Sequence, residues 1–296
     1  MLGLPPLNRI VVAGVAAALT LLSAVAASSA PVPWHAKREV TQRGNVRGEL
    51  SYQTRRPQGL LQVRAVRLRI LVSGTVRRAD RLTTTCTYCP QPLGAAGFGQ
   101  KSLTIRDLDG DGRLDVVADF YTGGAHCCFY SLLYGYRPAT NRFARIRQEW
   151  GDPGYRFVDY DHDGVPELRS GDDRFAYAFT CYACSALPVQ IWRYRGGALV
   201  DVTRSFPVQV RHDAGALWSG YLRERRRSGG DVRGILAAYI ADKYLLRAQA
   251  DGWRRLRQAN ARGDLHTAGG CFSFTPCDGR YLAKLARFLK RTGYSR

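Results

Sequence analysis

Asp107-Leu108-Asp109-Gly110-Asp111-Gly112-Arg113-Leu114-Asp115 and, fifty-two residues later, Asp159-Tyr160-Asp161-His162-Asp163-Gly164-Val165-Pro166-Glu167 obey one rule. Acidic residues stand at the first, third, fifth and ninth places and glycine at the sixth. Carboxylates this close repel one another unless a cation sits among them. Alternate side chains in a tight loop converge on one point, and the glycine allows the backbone turn. Hard oxygen donors of this number and charge suit Ca2+.

The flanks decide which kind of calcium loop this is, and with it the fold. An EF-hand loop needs a bidentate Glu at its twelfth place and helices on either side. Here the twelfth places are Ala118 and Ser170. Leu103 and Ile105 alternate with polar residues before the first loop, and Val116-Val117-Ala118-Asp119-Phe120-Tyr121 after it is rich in strand formers. Tyr155-Arg156-Phe157-Val158 leads into the second loop in the same way. Both motifs therefore read as strand–loop–strand.

In this form the loops resemble those of FG-GAP and VCBS-type repeats, the calcium-binding blade units of integrin-α-like β-propellers. The resemblance covers roughly residues 98 to 205. It includes Phe98-Gly99 ahead of the first loop but no clear counterpart ahead of the second. It implies that Asp107, Asp109, Asp111 and Asp115 ligate one ion together with the carbonyl of Arg113. It implies the same for Asp159, Asp161, Asp163 and Glu167 with the carbonyl of Val165. His162 and Pro166 depart from the small residues usual in the second loop. The wider context also resembles uncharacterised secreted bacterial proteins. Extracellular calcium modules bind with dissociation constants on the order of 10⁻⁴ to 10⁻³ M, which suits a pin between strands rather than a sensor.

Residues 1–30 read as a secretory signal peptide. Arg9 precedes an apolar run from Ile10 to Val25, and small residues follow at Ala24-Val25-Ala26 and Ser28-Ser29-Ala30. Cleavage after Ala26 or Ser28 avoids Pro31 at the first mature position; the rival reading is an uncleaved anchor helix. No later stretch is apolar and long enough for a transmembrane span. The expectation is an exported protein, in the periplasm, at the cell surface or outside the cell. Eight cysteines, Cys86, Cys89, Cys127, Cys128, Cys181, Cys184, Cys271 and Cys277, then read as disulfides. Cys271 and Cys277 bracket a short loop and pair most naturally together; the other six leave fifteen connectivities open. Zinc or thiol redox chemistry at the two Cys-x-x-Cys pairs competes with that reading, but no convincing helix follows either pair.

The rest of the chain divides into a β-rich repeat domain over 31–210 and a helical C-terminal subdomain over 211–296. Leu61, Val63, Ala65, Leu68 and Ile70 interleave with polar residues as a strand. Residues 129–134 and 142–146 read as a hairpin, and so do 189–194 and 199–202 around Gly196-Gly197. Helical composition runs over 214–227 and 232–249, the latter after a cap at Asp231. A last helix carries Leu282, Leu285, Ala286 and Leu289, with Asp278 as its cap and its end near Gly293. The expected fold is mainly β with an α-helical C-terminal part: antiparallel blade-like repeats, as a partial propeller or sandwich, plus docked helices.

Lys and Arg number 44 against 24 Asp and Glu, a net charge of +20 that is nearly all arginine. Such a field attracts an anionic cell-surface polymer, glycan or lipid headgroup. The clusters Arg223-Glu224-Arg225-Arg226-Arg227 and Arg254-Arg255-Leu256-Arg257 stand out. No aromatic–basic motif for sequence-specific nucleic-acid recognition is visible. Gly-x-Ser-x-Gly, His-Glu-x-x-His and a free carboxylate pair are also missing, and the five histidines do not cluster. The reading is thus a secreted, calcium-stabilised binding or adhesion module. A secreted hydrolase, with His126 as its best candidate residue, or a thiol-linked assembly factor is the alternative.

Overall fold

Three antiparallel sheets follow one another along the chain, and helices complete it. The computed structural model describes residues 31–82, 91–97, 99–124, 128–227, 230–265 and 280–295. The signal-like stretch, Cys86, Cys89, Phe98, His126, Cys127, Cys271, Cys277 and Asp278 lie outside the described residues. Pro33–Arg296 is one compact unit, and it contains all three sheets and the helices.

The first sheet is a four-stranded meander of β1 (His35–Arg43), β2 (Val46–Arg55), β3 (Gln62–Val72) and β4 (Thr75–Arg81). A short β5 (Gln91–Pro92) and the one-turn helix α1 (Leu93–Ala96) lead into the second sheet. Its strands are β6 (Leu103–Arg106), β7 (Asp115–Tyr121), β8 (Phe129–Arg137) and β9 (Arg142–Gly151), with β5 and β6 both paired to β7. The third is a meander of β10 (Arg156–Val158), β11 (Glu167–Gly171), β12 (Val189–Arg195) and β13 (Ala198–Asp201). These are blade-like units, and no closed barrel or ring forms among the described residues. Each acidic loop links two antiparallel strands, β6 to β7 and β10 to β11.

The sequence pattern of β3 slips in phase, and the structure shows why. Arg64 pairs with Gln53 and Arg67 with Ser51, so Ala65 and Val66 together oppose Tyr52. This bulge puts Ala65 at φ 55° and out into solvent, and hands the core position to Val66. From there Val66, Leu68 and Ile70 face inward, against Val116, Ala118, Phe120 and Tyr134 of the second sheet. Polar ties fasten the same contact. Asp80 of β4 accepts from the Tyr134 hydroxyl (3.0 Å) and from Arg145 (3.0 Å). Glu39 of β1 accepts from Ser102 through both its backbone N–H and its hydroxyl, each at 3.0 Å.

The helices are α2 (Pro207–Glu224), α3 (Arg233–Leu245), α4 (Gln249–Ala261) and α5 (Tyr281–Arg291). The stretch expected as one helix over 232–249 is two elements, because Arg247 takes a left-handed φ of 55° and ends the run; α4 went unread. Asp231 precedes the cap residue Val232, yet its carboxylate accepts the Arg233 N–H at 3.0 Å. In α5, Leu285, Phe288 and Leu289 are the buried stripe, whereas Ala286 is exposed. The helix stops as its glycine foretells: Gly293, at φ 83°, and Tyr294 donate back to the carbonyls of Lys290 and Leu289.

The helical core is not made by helices alone. Phe175 and Phe179, from the long connection between β11 and β12, pack among Leu236, Leu256, Leu285 and Phe288. Asp242 of α3 is wholly buried; burial, then the neighbouring Asp213 of α2, hold its carboxyl well above the usual range. A raised carboxyl pKa stabilises the fold below the unfolded value, and that contribution is lost as pH rises. Asp242→Asn is therefore expected to stabilise the fold more at pH 7 than at pH 4. Chemical denaturation at the two pH values reads the difference.

Candidate metal centre

The first loop folds around Asp107. Its Oδ1 accepts from the Gly110 N–H (2.8 Å) and its Oδ2 from the Gly112 N–H (2.8 Å). Gly110 and Gly112 take φ of 76° and 79°, which a side chain would oppose. Asp111 is exposed, accepts from the Arg113 N–H at 2.8 Å and pairs loosely with the Arg113 guanidinium at 3.4 Å. Asp115, the first residue of β7, is buried; it accepts from Leu108 N–H (3.0 Å) and Tyr136 N–H (3.1 Å). Oxygens of Asp107, Asp109 and Asp115 lie within 4.8 Å of one another.

The electrostatics of this loop are those of a cluster short of positive charge. Burial pushes the Asp115 carboxyl up to about 7, against the two backbone donors and with help from Asp109 and Asp111. Asp109 is raised too, by burial and then by Asp111 and Asp107. Its Oδ1 is buried and has no hydrogen-bond partner. The hydroxyl of Tyr194, a residue 1% exposed, is also buried and unpartnered. Burial and the neighbouring Asp115, Asp109 and Asp111 push that phenol up to about 12. Converging carboxylate oxygens, one orphaned, fit a hard cation of calcium's type.

The second loop has the same frame and a different filling. Asp159 accepts from the Gly164 N–H (3.1 Å), Asp163 from the Val165 N–H (2.8 Å) and the wholly buried Glu167 from the Tyr160 N–H (2.7 Å). Oxygens of Asp159, Asp161 and Glu167 again lie within 4.8 Å, and Asp159 Oδ1 lacks a partner. But the guanidinium of Arg193 enters from β12. Its Nε donates to Glu167 at 2.6 Å, and its Nη2 reaches Asp161 at 2.5 Å, Asp163 at 3.2 Å and Glu167. A cation of this chain's own thus stands among the carboxylates. His162 holds the place of Gly110 and takes the left-handed φ of 57° that the turn requires.

Strand register accounts for the difference. The pair Leu168–Trp192, continued one step, sets Glu167 opposite Arg193. The pair Val116–Tyr134, continued one step, sets Asp115 opposite Gly135. A Cβ at Gly135 would meet the Tyr194 phenol, so no side chain fits there. The two loops also touch: a Cβ at Gly110 would lie 2.7 Å from Val165 Cγ2. Arg193 and Tyr194, adjacent on β12, point to opposite faces, and each serves a different loop. Neither was visible as a site residue in the sequence, because a lone Arg and Tyr in a strand carry no motif.

A second polar cluster lies apart from the loops. A cavity of about 510 Å³ opens between the second sheet and β10, with Asp119, Ser131, Trp150 and Tyr155 in its wall. Ser131 donates to Asp119 at 2.5 Å, Tyr155 donates to Asp119 at 3.1 Å, and the Trp150 indole donates to Ser131 at 2.7 Å. Burial pushes the Asp119 carboxyl up to about 6 despite the Ser131 and Tyr155 donors. Elsewhere, Cys181 and Cys184 are joined in a disulfide across a single 3-10 turn, Cα atoms 5.1 Å apart, and Cys128 is disulfide-bonded as well. No helix among the described residues is long and apolar enough to cross a membrane.

Comparison with known proteins bears on the C-terminal helices and on the chain's compartment. Residues 210–293 match the family model of the sll0997 C-terminal domain. The chain is 30% identical over 223 residues to a probable thylakoid lumen protein, sll0997, of Synechocystis sp. (strain ATCC 27184 / PCC 6803 / Kazusa), covering 73% of this chain and 61% of the relative. It is 27% identical over 184 residues to the uncharacterized protein y4bJ of Sinorhizobium fredii (strain NBRC 101917 / NGR234), covering 60% of this chain and 28% of the relative. It therefore spans about three fifths of the first relative and under a third of the second. No solved structure matches. A lumen protein has crossed a membrane, and this chain, like that relative, is an exported protein.

Proposed function

We propose that the protein is an exported binding module of the FG-GAP/VCBS type, pinned by calcium at its first acidic loop, that adheres to an anionic surface polymer. The observation that carries the adhesion is the outer face of the first sheet. Between His35 and Arg81 the chain has twelve Lys and Arg against three Asp and Glu. Strand register puts Arg38, Arg47, Arg67, Arg69 and Arg81 on one side, away from the core. Arg67 and Arg81 sit directly opposite, a like-charge pair that no sheet adopts for its own stability. One carboxylate, Glu49, answers Arg38 (2.9 Å), Arg47 (2.9 Å) and Arg69 (3.4 Å) at the centre. The result is a fixed array of guanidinium groups with most of their charge unanswered, the pattern that carboxylate, sulfate or phosphate groups complement.

At the first loop, Asp107, Asp109 and Asp115 supply the ion's side-chain oxygens, with Asp111 and the Arg113 carbonyl as its outward donors. At the second, Arg193 takes the ion's part. Calcium then fastens β6 to β7 and holds the framework that presents the arginines. Retention on a heparin column in the presence of Ca2+ tests the adhesion. The triple variant Arg67→Gln, Arg69→Gln, Arg81→Gln is expected to elute at clearly lower salt than the parent with an unchanged melting temperature. Elution at the same salt would remove the first sheet from the reading.

A further inference from the structure

We infer that the cavity between the second sheet and β10 is a binding site for an acidic sugar residue, a pyranose bearing a carboxylate. Three properties of its wall lead there. The first is aromatic. Trp150 and Tyr155 stack on each other at 4.5 Å, Phe157 stands edge-on to Tyr155 at 5.2 Å, and all three line the cavity. Trp150 is buried against Tyr155, whereas Tyr155 and Phe157 are half-buried and leave part of their rings to the cavity, the kind of apolar surface that the C–H side of a pyranose covers.

The second is the polar floor. Asp119 on β7 and Ser131 on β8 are direct cross-strand partners, so the carboxylate is set by the sheet itself and not by a loop. Ser131 and Tyr155 spend their hydroxyl protons on Asp119, and the Trp150 indole N–H is spent on Ser131. Every donor of the group thus runs inward to one carboxylate, whose two oxygens offer about four acceptor sites. Asp119 is left as an oriented acceptor facing the cavity, which is what vicinal sugar hydroxyls require.

The third is the rim. Lys101 and Arg156, both exposed, line the same cavity and bring positive charge to its mouth. A neutral sugar has no group for them; a uronate carboxylate does. The volume, about 510 Å³, lies within the ~300–1,000 Å³ typical of small-molecule sites. Glycoside hydrolysis needs two carboxyl groups flanking the bond, roughly 5–9.5 Å apart, and Asp119 is the one acid among the described residues of this wall. The wall therefore lacks the carboxyl pair of that hydrolytic route, and what it offers a sugar is binding.

This inference rests on the reading of the protein as a binding module, but on neither its arginine face nor its calcium. The test is calorimetric titration of the folded exported protein with trigalacturonate and, in parallel, maltotriose. Saturable binding of trigalacturonate is expected, weakened about tenfold or more, ~1.4 kcal/mol, by the paired rim change Lys101→Ala, Arg156→Ala. Maltotriose should bind more weakly and be indifferent to that change. Asp119→Asn, nearly the same in shape, should weaken both sugars. Trigalacturonate binding that survives the rim change but falls with the triple arginine variant of the first sheet would overturn the cavity and leave the adhesive face standing. Absence of saturable binding by the parent would overturn the inference outright, whereas the heparin result stands or falls separately.

Discussion

Arg193→Ala is expected to lower stability in EDTA by about 3–5 kcal/mol, the cost of leaving a buried charge without its partner. Glu167 is wholly buried, and Arg193 is the cation that reaches it. The same change should turn the second loop into a calcium site. With the guanidinium gone, Asp159, Asp161 and Glu167 keep their convergence and lose the cation that stands among them. Titration calorimetry should then count two ions per chain where the parent binds one. Calcium should also restore much of the lost stability; at about 100 times the dissociation constant it returns ~2.7 kcal/mol. A parent that already binds two ions would show that the guanidinium yields to calcium.

The second large effect concerns pH and the first loop. Asp115, pushed up to about 7 in the fold, keeps its proton through a range where the unfolded chain has lost it. In EDTA, stability is therefore fullest below about pH 4, declines as pH rises, and has lost this contribution above about pH 7. The span corresponds to on the order of 3–4 kcal/mol. Saturating Ca2+ should reverse the slope, because the ion binds the deprotonated cluster and is expelled as Asp115 takes up its proton. Asp115→Asn should flatten both curves. Urea denaturation from pH 5 to 8, with Ca2+ and with EDTA, measures all four slopes. Parallel curves in the two media would mean that Asp115 does not ligate the ion.

The loops were the most legible part of the chain, and for a definite reason. Acidic residues at fixed places around a glycine are a local code, and the strand formers on either side are local too. Both loops accordingly lie between antiparallel strands. The hairpins at Asn141 and at Gly196-Gly197 were readable on the same ground, from turn residues that take positive φ. What escaped was whatever depends on register. Arg193 matters because it lies across from Glu167, and Gly135 because it lies across from Asp115; nothing near either residue in the sequence says so. The bulge at Ala65 shows in the sequence only as a slip in phase between Ala65 and Leu68, and nothing local says that Val66 takes the core position. α4 carries little local signal, because its buried stripe is only Gly252, Leu256 and Ala259 among several arginines. Asp119 shows in the sequence only as one residue of a strand, because its partners Ser131 and Tyr155 come from elsewhere in the chain.

The two phenylalanines that the β11–β12 connection lends to the helices bear on how such a protein can be recombined. The segment that matches a known family model, 210–293, begins well after Phe175 and Phe179. A gene fusion breaking near residue 210 would carry the four helices away without the two rings they close around. Each missing ring leaves a gap of the kind that costs ~3–5 kcal/mol when a phenylalanine is cut back to alanine. Two such gaps rival the whole stability of an ordinary domain, about 5–15 kcal/mol. A graft that survives must start upstream of Asp172, whose carboxylate also holds the Tyr294 hydroxyl at 2.9 Å. The helical segment is thus heritable only with its own piece of β-sheet attached.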